Sequence, residues 1–460
     1  MATPSAVEPR ALAEGGLTLE AVVALSERLD EPRWLREQRL AGWEAFESLP
    51  MPRWTKGIAQ WWTTDVSEID LGALKAYVGS PAVTGGEFGA GVALVGETEE
   101  AGSLLVQVNS ETAHLHVSEE MKAQGVIFCS LEEAVREHSS IVERFLHKLV
   151  APNKDKFAAL HSALWSGGVF LYVPEGVKVE LPVHAVYRLD TPGAPALGHT
   201  LVVAEKGAEV RYVEEFHSSY TEGQALHSGV VEVSVGEDAK VEFTSMQEWG
   251  RNVYSFATRY AQVAERGLMH WVIGEVGAKL IKAHAETQLL GTGARTLTRG
   301  ICFTDGDQHY DNTSNTHHVG QSTFGDILFK GAVRDKSRLG FEGIIKVDHG
   351  AQKTDSYLTM NTLFLSEGAK ANSIPGLEIL ADDVRCSHGA TVGTVQADQM
   401  FYLRSRGIPE IEAEKLIVGG FFEPVIAEMP LESVRQRLRE IVQHKVELPR
   451  VGKEAQRPGA

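Results

Sequence analysis

The sequence predicts a mainly β protein, a solenoid of short strands held between a helical N-terminal region and a helical C-terminal domain. Three observations point there. From Gly167 the apolar period is two and stays two for roughly two hundred residues. Within that span one local phrase recurs, with no helical stretch between its copies. On either side of it the apolar period is that of a helix.

At the N-terminal side, Thr18 can cap a first helix through Leu25, and Asp30 with Pro32 opens a second in which Leu35, Leu40, Trp43 and Phe46 recur at helix spacing. Pro50-Met51-Pro52 stops it. A passage with Trp54, Trp61 and Trp62 follows, then a Gly-rich region from about Gly79 to Gly102 that reads as loops and short strands. Ser130 with Glu133 forms a capping box, and the helical spacing continues to about Val150. Phe157 to Trp165 is a further short helix. The expected division is an N-terminal helical and mixed region over 1–165, a β-helix core over 166–393 and a helical domain over 394–460.

The repeated phrase is an apolar strand, then Gly or an acid, a small residue, a charged residue and another apolar strand. It occurs as Val173-Pro174-Glu175-Gly176-Val177-Lys178-Val179, Glu205-Lys206-Gly207-Ala208-Glu209-Val210 and Gly236-Glu237-Asp238-Ala239-Lys240-Val241. From Val177 to Ala208 and from Ala208 to Ala239 the interval is 31 residues, while later copies at Ala278, Ala294 and Ala369 are irregularly placed. Short strands repeating without helices fit a solenoid better than a βαβ fold, with a jelly-roll sandwich as the competing architecture. A solenoid needs its ends covered, and the flanking helices are candidate caps.

Of 460 residues, 44 are Lys or Arg and 62 are Asp or Glu, a formal charge of −18 that speaks against holding nucleic acid or an anionic membrane. The three cysteines, Cys129, Cys302 and Cys386, are far apart and form no C-x-x-C. A reducing cytoplasm is the expected location, and neither an export signal nor a membrane span is read in the sequence.

Motifs for nucleotide hydrolysis, zinc proteolysis and nucleophilic hydrolysis are absent, and the glycines from Gly86 to Gly96 lack dinucleotide spacing. Asp305, Asp307, His309 and Asp311 alternate and are expected to share one strand face, with His317 and His318 close behind. Such a set suits a divalent metal, with Asp307 and His309 as weak candidates, or a stand-alone carbohydrate-active β-helix enzyme. The competing reading is a solvated outer face. His161, His184, His199, His217, His227, His284 and His349 show no ligand spacing and receive no role.

The run Asp382-Asp383-Val384-Arg385-Cys386-Ser387-His388-Gly389 is the most informative. In an extended strand Cys386 and His388 share a face, and a thiolate beside an imidazole suits iron, zinc or an iron-sulfur cluster. Two ligands leave the site to be completed from elsewhere. The plain alternative is a small buried thiol and a hydrogen-bonded core histidine. Beyond it, Ala397 to Arg404, a helix from Pro409 carrying Ile411, Leu416, Ile417, Phe421 and Phe422, and a helix from Leu431 to Lys445 form apolar stripes that serve either packing or docking.

Pro375-Gly376-Leu377-Glu378-Ile379 through Cys386-Ser387-His388-Gly389-Ala390-Thr391-Val392-Gly393, followed by Phe401-Tyr402-Leu403-Arg404-Ser405-Arg406-Gly407-Ile408-Pro409, closely resembles the C-terminal signature of the SufB/SufD family of the SUF iron-sulfur cluster assembly system, in its SufD branch. Lys156-Phe157-Ala158-Ala159-Leu160, Glu31-Pro32-Arg33-Trp34 and Leu49-Pro50-Met51-Pro52 are further matches. The acidic Glu-His-Glu-like motif of SufB-like chains is replaced here by Ser387-His388-Gly389.

The resemblance implies a right-handed parallel β-helix core between helical domains and a non-catalytic assembly role. It implies pairing with a SufB-like scaffold and a SufC-like ATPase, with a homodimer as a further arrangement. His388, with Cys386 as its neighbour in the motif, would lie at the SufB-like interface. Iron or an iron-sulfur cluster would be held there transiently and not by this chain alone. The ATPase would dock on the C-terminal helices, at Phe401, Tyr402, Ile408, Pro409, Ile417, Phe421 and Phe422.

Overall fold

A computed structural model of the chain describes residues 16–56, 62–79, 100–218 and 222–449. Trp61 and the glycines from Gly86 to Gly96 lie outside the described residues. Helices α1 (Leu19–Arg28) and α2 (Arg33–Ser48) open the fold, Thr18 Oγ1 accepting from the Ala21 N–H at 3.2 Å as the first cap. Strands β1 (Trp54–Lys56) and β2 (Trp62–Thr64) pair antiparallel. Next come β3 (Ser103–Val108), β4 (Glu111–His116), α3 (Glu119–Ala123), β5 (Ile127–Ser130), α4 (Leu131–Glu137), α5 (Ser139–Phe145) and α6 (Lys156–Leu164). The single helix expected from Ser130 to Val150 is thus two short ones that meet at His138.

The solenoid strands are β6 (Gly168–Val173), β7 (Val183–Leu189), β8 (Pro195–Ala196), β9 (His199–Ala204), β10 (Glu209–Ser218), β11 (Ala225–Val235), β12 (Lys240–Glu248), β13 (Val253–Val263), β14 (Leu268–Glu275), β15 (Leu280–Leu289), β16 (Arg295–Thr304), β17 (His309–His318), β18 (Phe324–Val333), β19 (Arg338–Val347), β20 (Asp355–Phe364), β21 (Lys370–Ile379) and β22 (Arg385–Thr394). They alternate between two sheets, β22-β20-β18-β16-β14-β12-β10-β7-β3-β4 and β21-β19-β17-β15-β13-β11-β9-β6-β5. From β6 and β7 onward the neighbours are parallel, which sets the jelly roll aside and makes a parallel solenoid of about eight turns. Strands β3 and β5, from before residue 165, extend the same two sheets.

The repeated phrase is the corner of each coil. Gly176, Gly207, Asp238, Arg266, Gly293, Ser322 and Lys353 all have φ between 55° and 72°. That left-handed turn costs glycine nothing and strains most other residues. The corners stack through backbone bonds, Gly207 donating to Glu237 O at 2.7 Å and Asp238 to Glu265 O at 2.9 Å. The small residue that follows, Ala208, Ala239 or Ala294, is buried beneath the turn. Ala278, Gly306 and Asp335 form a second stack of positive-φ corners on the opposite side. Two interleaved stacks explain why the later copies look irregular in sequence.

Met121, Val126 and Phe128 plug the interior at the N-terminal end. Helices α7 (Ala397–Ser405), α8 (Glu410–Ile426) and α9 (Glu432–Glu447) do not plug the other end. Instead Val418, Phe422, Val425, Leu438 and Val442 pack on outward residues of the first sheet, among them Val272, Ile301 and Phe303. Buried Lys445 fastens α9 there, donating from Nζ to Asp305 Oδ1 and to Val276 O at 2.8 Å and to Gln308 Oε1 at 3.1 Å. The expectation that the helices cap the solenoid therefore fails at its C-terminal end, because their apolar stripe finds an apolar flank instead.

Candidate functional site

Strand β22 pairs in register with β20, placing Cys386 over Ser356, His388 over Leu358, Ala390 over Met360 and Val392 over Thr362. Those four β20 residues are buried and point into the solenoid. Cys386, His388, Ala390 and Val392 therefore continue the inner row by one more layer, as the period of two requires. Among the described residues no further coil covers them. His388 is exposed, Val392 is 64% exposed, and Leu377 and Ile379, which extend the inner row on β21, are 39% and 37% exposed. Among the described residues strands β21 and β22 also end their sheets, so each presents one backbone edge with no strand beside it.

Cys386 packs half-buried against the core, and burial, then the Asp355 carboxylate, push its thiol above the usual range. A bound metal would be needed to hold it as thiolate. The structure thus brings Cys386 and His388 to one face at an open mouth, with the geometry of half a site.

The acidic cluster is divided. Residues 305–308 form a corner turn, and β17 begins only at His309, so the four residues expected to alternate on one strand do not share a face. Asp305 pairs with Lys445 and Arg251, which hold its carboxyl below the usual range against burial. Asp307 is exposed on the turn. Asp311 lies buried under the β1–β2 hairpin, paired with Lys56 at 2.7 Å and Lys282 at 3.1 Å and accepting from the Thr64 hydroxyl. His309 packs edge-on against Trp62 at 5.3 Å, and burial, then Arg338, lower its pKa to about 4. These contacts tie the hairpin to the solenoid. They do not line a cleft with paired acids.

The docking candidates separate as well. Phe401 and Tyr402 are 75% and 58% exposed, Pro409 is exposed, and Ile408 and Ile417 are half-buried. Phe422 is fully buried against Phe303, and half-buried Phe421 receives Lys330 over its ring and at its carbonyl. Phe422 therefore anchors α8 and has no free surface for a partner, a correction forced by the flank-on packing of that helix. Val392, Val395, Tyr402, Leu416, Ile417 and Phe421 line a groove that runs from the open mouth to α7 and α8. Leu416 belongs to the apolar stripe read from the sequence, whereas nothing in the sequence offers Val392 as a docking residue, since its exposure depends on which coil or chain lies next to it.

Among the described residues no helix is long and apolar enough to cross a membrane, and Cys129, Cys302 and Cys386 are all free thiols. A family model described as "SUF system FeS cluster assembly, SufBD core domain" matches residues 187–421, and one for the "SufBD protein N-terminal region" matches 99–185. An "Iron-sulfur cluster assembly SufBD family protein" of Staphylococcus epidermidis is 33% identical over 431 residues, 91% of each chain. "Iron-sulfur cluster assembly protein SufB" of Bacillus subtilis is 32% identical over 430 residues, again 91% of each. With both family models and near full-length relatives in agreement with the solenoid and its flanking helices, the chain belongs to the SufBD family of the SUF iron-sulfur cluster assembly system.

Proposed function

We propose that this chain is the SufD-like half of a two-chain surface on which iron-sulfur clusters are built in the cytoplasm. A SufB-like scaffold pairs along the free edges of β21 and β22, and His388, with Cys386 beside it, shares iron or a nascent cluster with the partner's ligands. A SufC-like ATPase docks on the groove at Tyr402, Ile417 and Leu416 and on exposed Phe401, with Ile408 and Pro409 at its rim. The chain holds its cargo only transiently and does no covalent chemistry of its own.

The observation that carries the reading is the uncovered inner row from Cys386 to Val392. Leaving that apolar row and two strand edges in water is unfavourable unless another chain covers them. Ser387-His388-Gly389, in place of an acidic triad, favours the SufD-like side of the pair.

Co-expression with SufB-like and SufC-like proteins tests it, comparing the native chain with His388→Ala. The expected result is an intact complex whose iron and sulfide content falls by about tenfold or more. Unchanged cluster content, or failure of the native chain to join the complex, overturns the proposal. A stable homodimer through the same edges would change the partner and equally contradict it.

A further inference from the structure

A second group of ligand-type side chains lies at the opposite end of the solenoid from Cys386 and His388. His147, in the connection after α5, His199 at the start of β9 and Glu232 in β11 place their ligand atoms within 4.8 Å of one another. The backbone N–H groups of Leu149 and Val150 donate to Glu232 Oε1 at 2.6 and 3.0 Å, and that of His147 to Oε2 at 2.6 Å. The carboxylate is thereby oriented, and the connection is fastened to the solenoid without any use of the His147 ring.

The tautomers of the neighbouring rings can be counted. His161 Nδ1 faces the Ser228 carbonyl at 2.6 Å, so that nitrogen carries the hydrogen. With that hydrogen placed, a neutral His161 ring offers its Nε2 as an acceptor. His199 Nδ1, 3.1 Å away, must then donate. This leaves His199 Nε2, which lies 3.0 Å from Glu232 Oε2, aimed lone pair against carboxylate unless a cation sits between them. His147 Nε2 is buried and has no hydrogen-bond partner among the described residues.

The cation is either a proton or a metal ion. Only a metal also uses His147 Nε2. The chain from His199 Nδ1–H through His161 to the Ser228 carbonyl is the outer hydrogen-bond support that metal-bound imidazoles characteristically have. Arg39, the nearby positive charge, is already paired with Glu31 at 2.6 Å.

We propose that His147, His199 and Glu232 form a binding site for a divalent transition metal of the Zn2+ or Fe2+ type, which cross-links the α5–α6 connection to the first coils of the solenoid. Two imidazoles and one carboxylate suit either ion, and ligand atoms that lie within 4.8 Å of one another would draw inward around it. The site is independent of the cluster-handling reading.

The test uses the full chain carrying Cys386→Ala and His388→Ala, so that the other candidate ligands are removed. The protein is stripped with chelator and titrated with Zn2+, or with Fe2+ in the absence of oxygen. One equivalent is expected to bind, with a rise in unfolding temperature. His147→Asn, which tolerates the positive φ at this position, is expected to weaken affinity about tenfold or more while leaving the unfolding temperature of the stripped protein unchanged. Glu232→Gln is expected to weaken it as well. Co2+ loaded at the same position should show nitrogen and oxygen ligands without thiolate absorption, which separates it from Cys129 and Cys302. No bound equivalent, thiolate ligation, or equal affinity in His147→Asn would assign the position to the shared proton and overturn the proposal.

Discussion

Lys445→Met probes how firmly the C-terminal helices are mounted on the solenoid. The Lys445 ammonium, buried at the end of α9, supplies Asp305 with a charged donor and also satisfies Val276 O and Gln308 Oε1. Met fills most of the space but leaves the buried Asp305 carboxylate to Arg251 alone and takes a donor from Val276 O, while Gln308 Oε1 keeps the Asp305 N–H at 3.1 Å. Removing one partner of a buried pair costs about 3–5 kcal/mol, and because Arg251, half-exposed, still faces Asp305, the lower end of about 3 kcal/mol applies here. Adding Asp305→Asn removes the stranded charge and should return about 1–2 kcal/mol.

There is also a pH signature. Burial lowers the Lys445 pKa to about 8 from the ordinary lysine value of 10.5, so between these pH values the unfolded chain binds more protons than the folded one. Stability from this group therefore rises with pH across that window, and the rise should vanish in Lys445→Met. Urea unfolding followed by circular dichroism, with proteolysis at the α8–α9 region as a local reporter, measures all three variants. A single-variant cost below about 1 kcal/mol, or a double variant no more stable than the single, would refute the reasoning.

Three further outcomes follow from the geometry. At Gly340 an added Cβ would meet the Trp62 ring at 2.7 Å, so Gly340→Ala should cost about 1–3 kcal/mol, with a clear coupling to Trp62→Leu in a double-mutant cycle of urea midpoints. His227 and His318 are buried, and burial lowers each to about 3, so the unfolded chain takes up protons first as pH falls below about 6.5. Each should then cost about 2 kcal/mol of stability between pH 6.5 and pH 5, read from urea midpoints, and His318→Asn should flatten that slope. Leu416→Asp, at a side chain 56% exposed in the groove, should leave the unfolding midpoint within about 0.5 kcal/mol of the native value while weakening capture of a SufC-like ATPase in a pull-down.

Much of the architecture is legible in the residues because local rules act there. Thr18 and Ser130 cap helices as their side chains dictate, and Gly207 and Asp238 mark the corners because few other residues accept a positive φ. The alternation that pairs Cys386 with His388 follows from the strand period alone. Long-range pairing is what sequence spacing conceals. Asp305 and Asp311 read as one acidic face, yet one is claimed by Lys445 from the last helix and the other by Lys56 from the first hairpin. His199 shows no ligand spacing, and no local signal brings it to His147 and Glu232, since the three come from separate coils and a connection. Nor does any local pattern reveal that the C-terminal helices lie along the flank and leave the last coil open.

Amide hydrogen exchange along Arg385–Thr394 tests the central claim most directly. In the isolated chain the N–H groups on the free edge of this strand should exchange quickly while those facing β20 are protected, and a SufB-like partner should slow the free set by about tenfold or more. Association with that partner while these amides remain as fast as before would contradict the account.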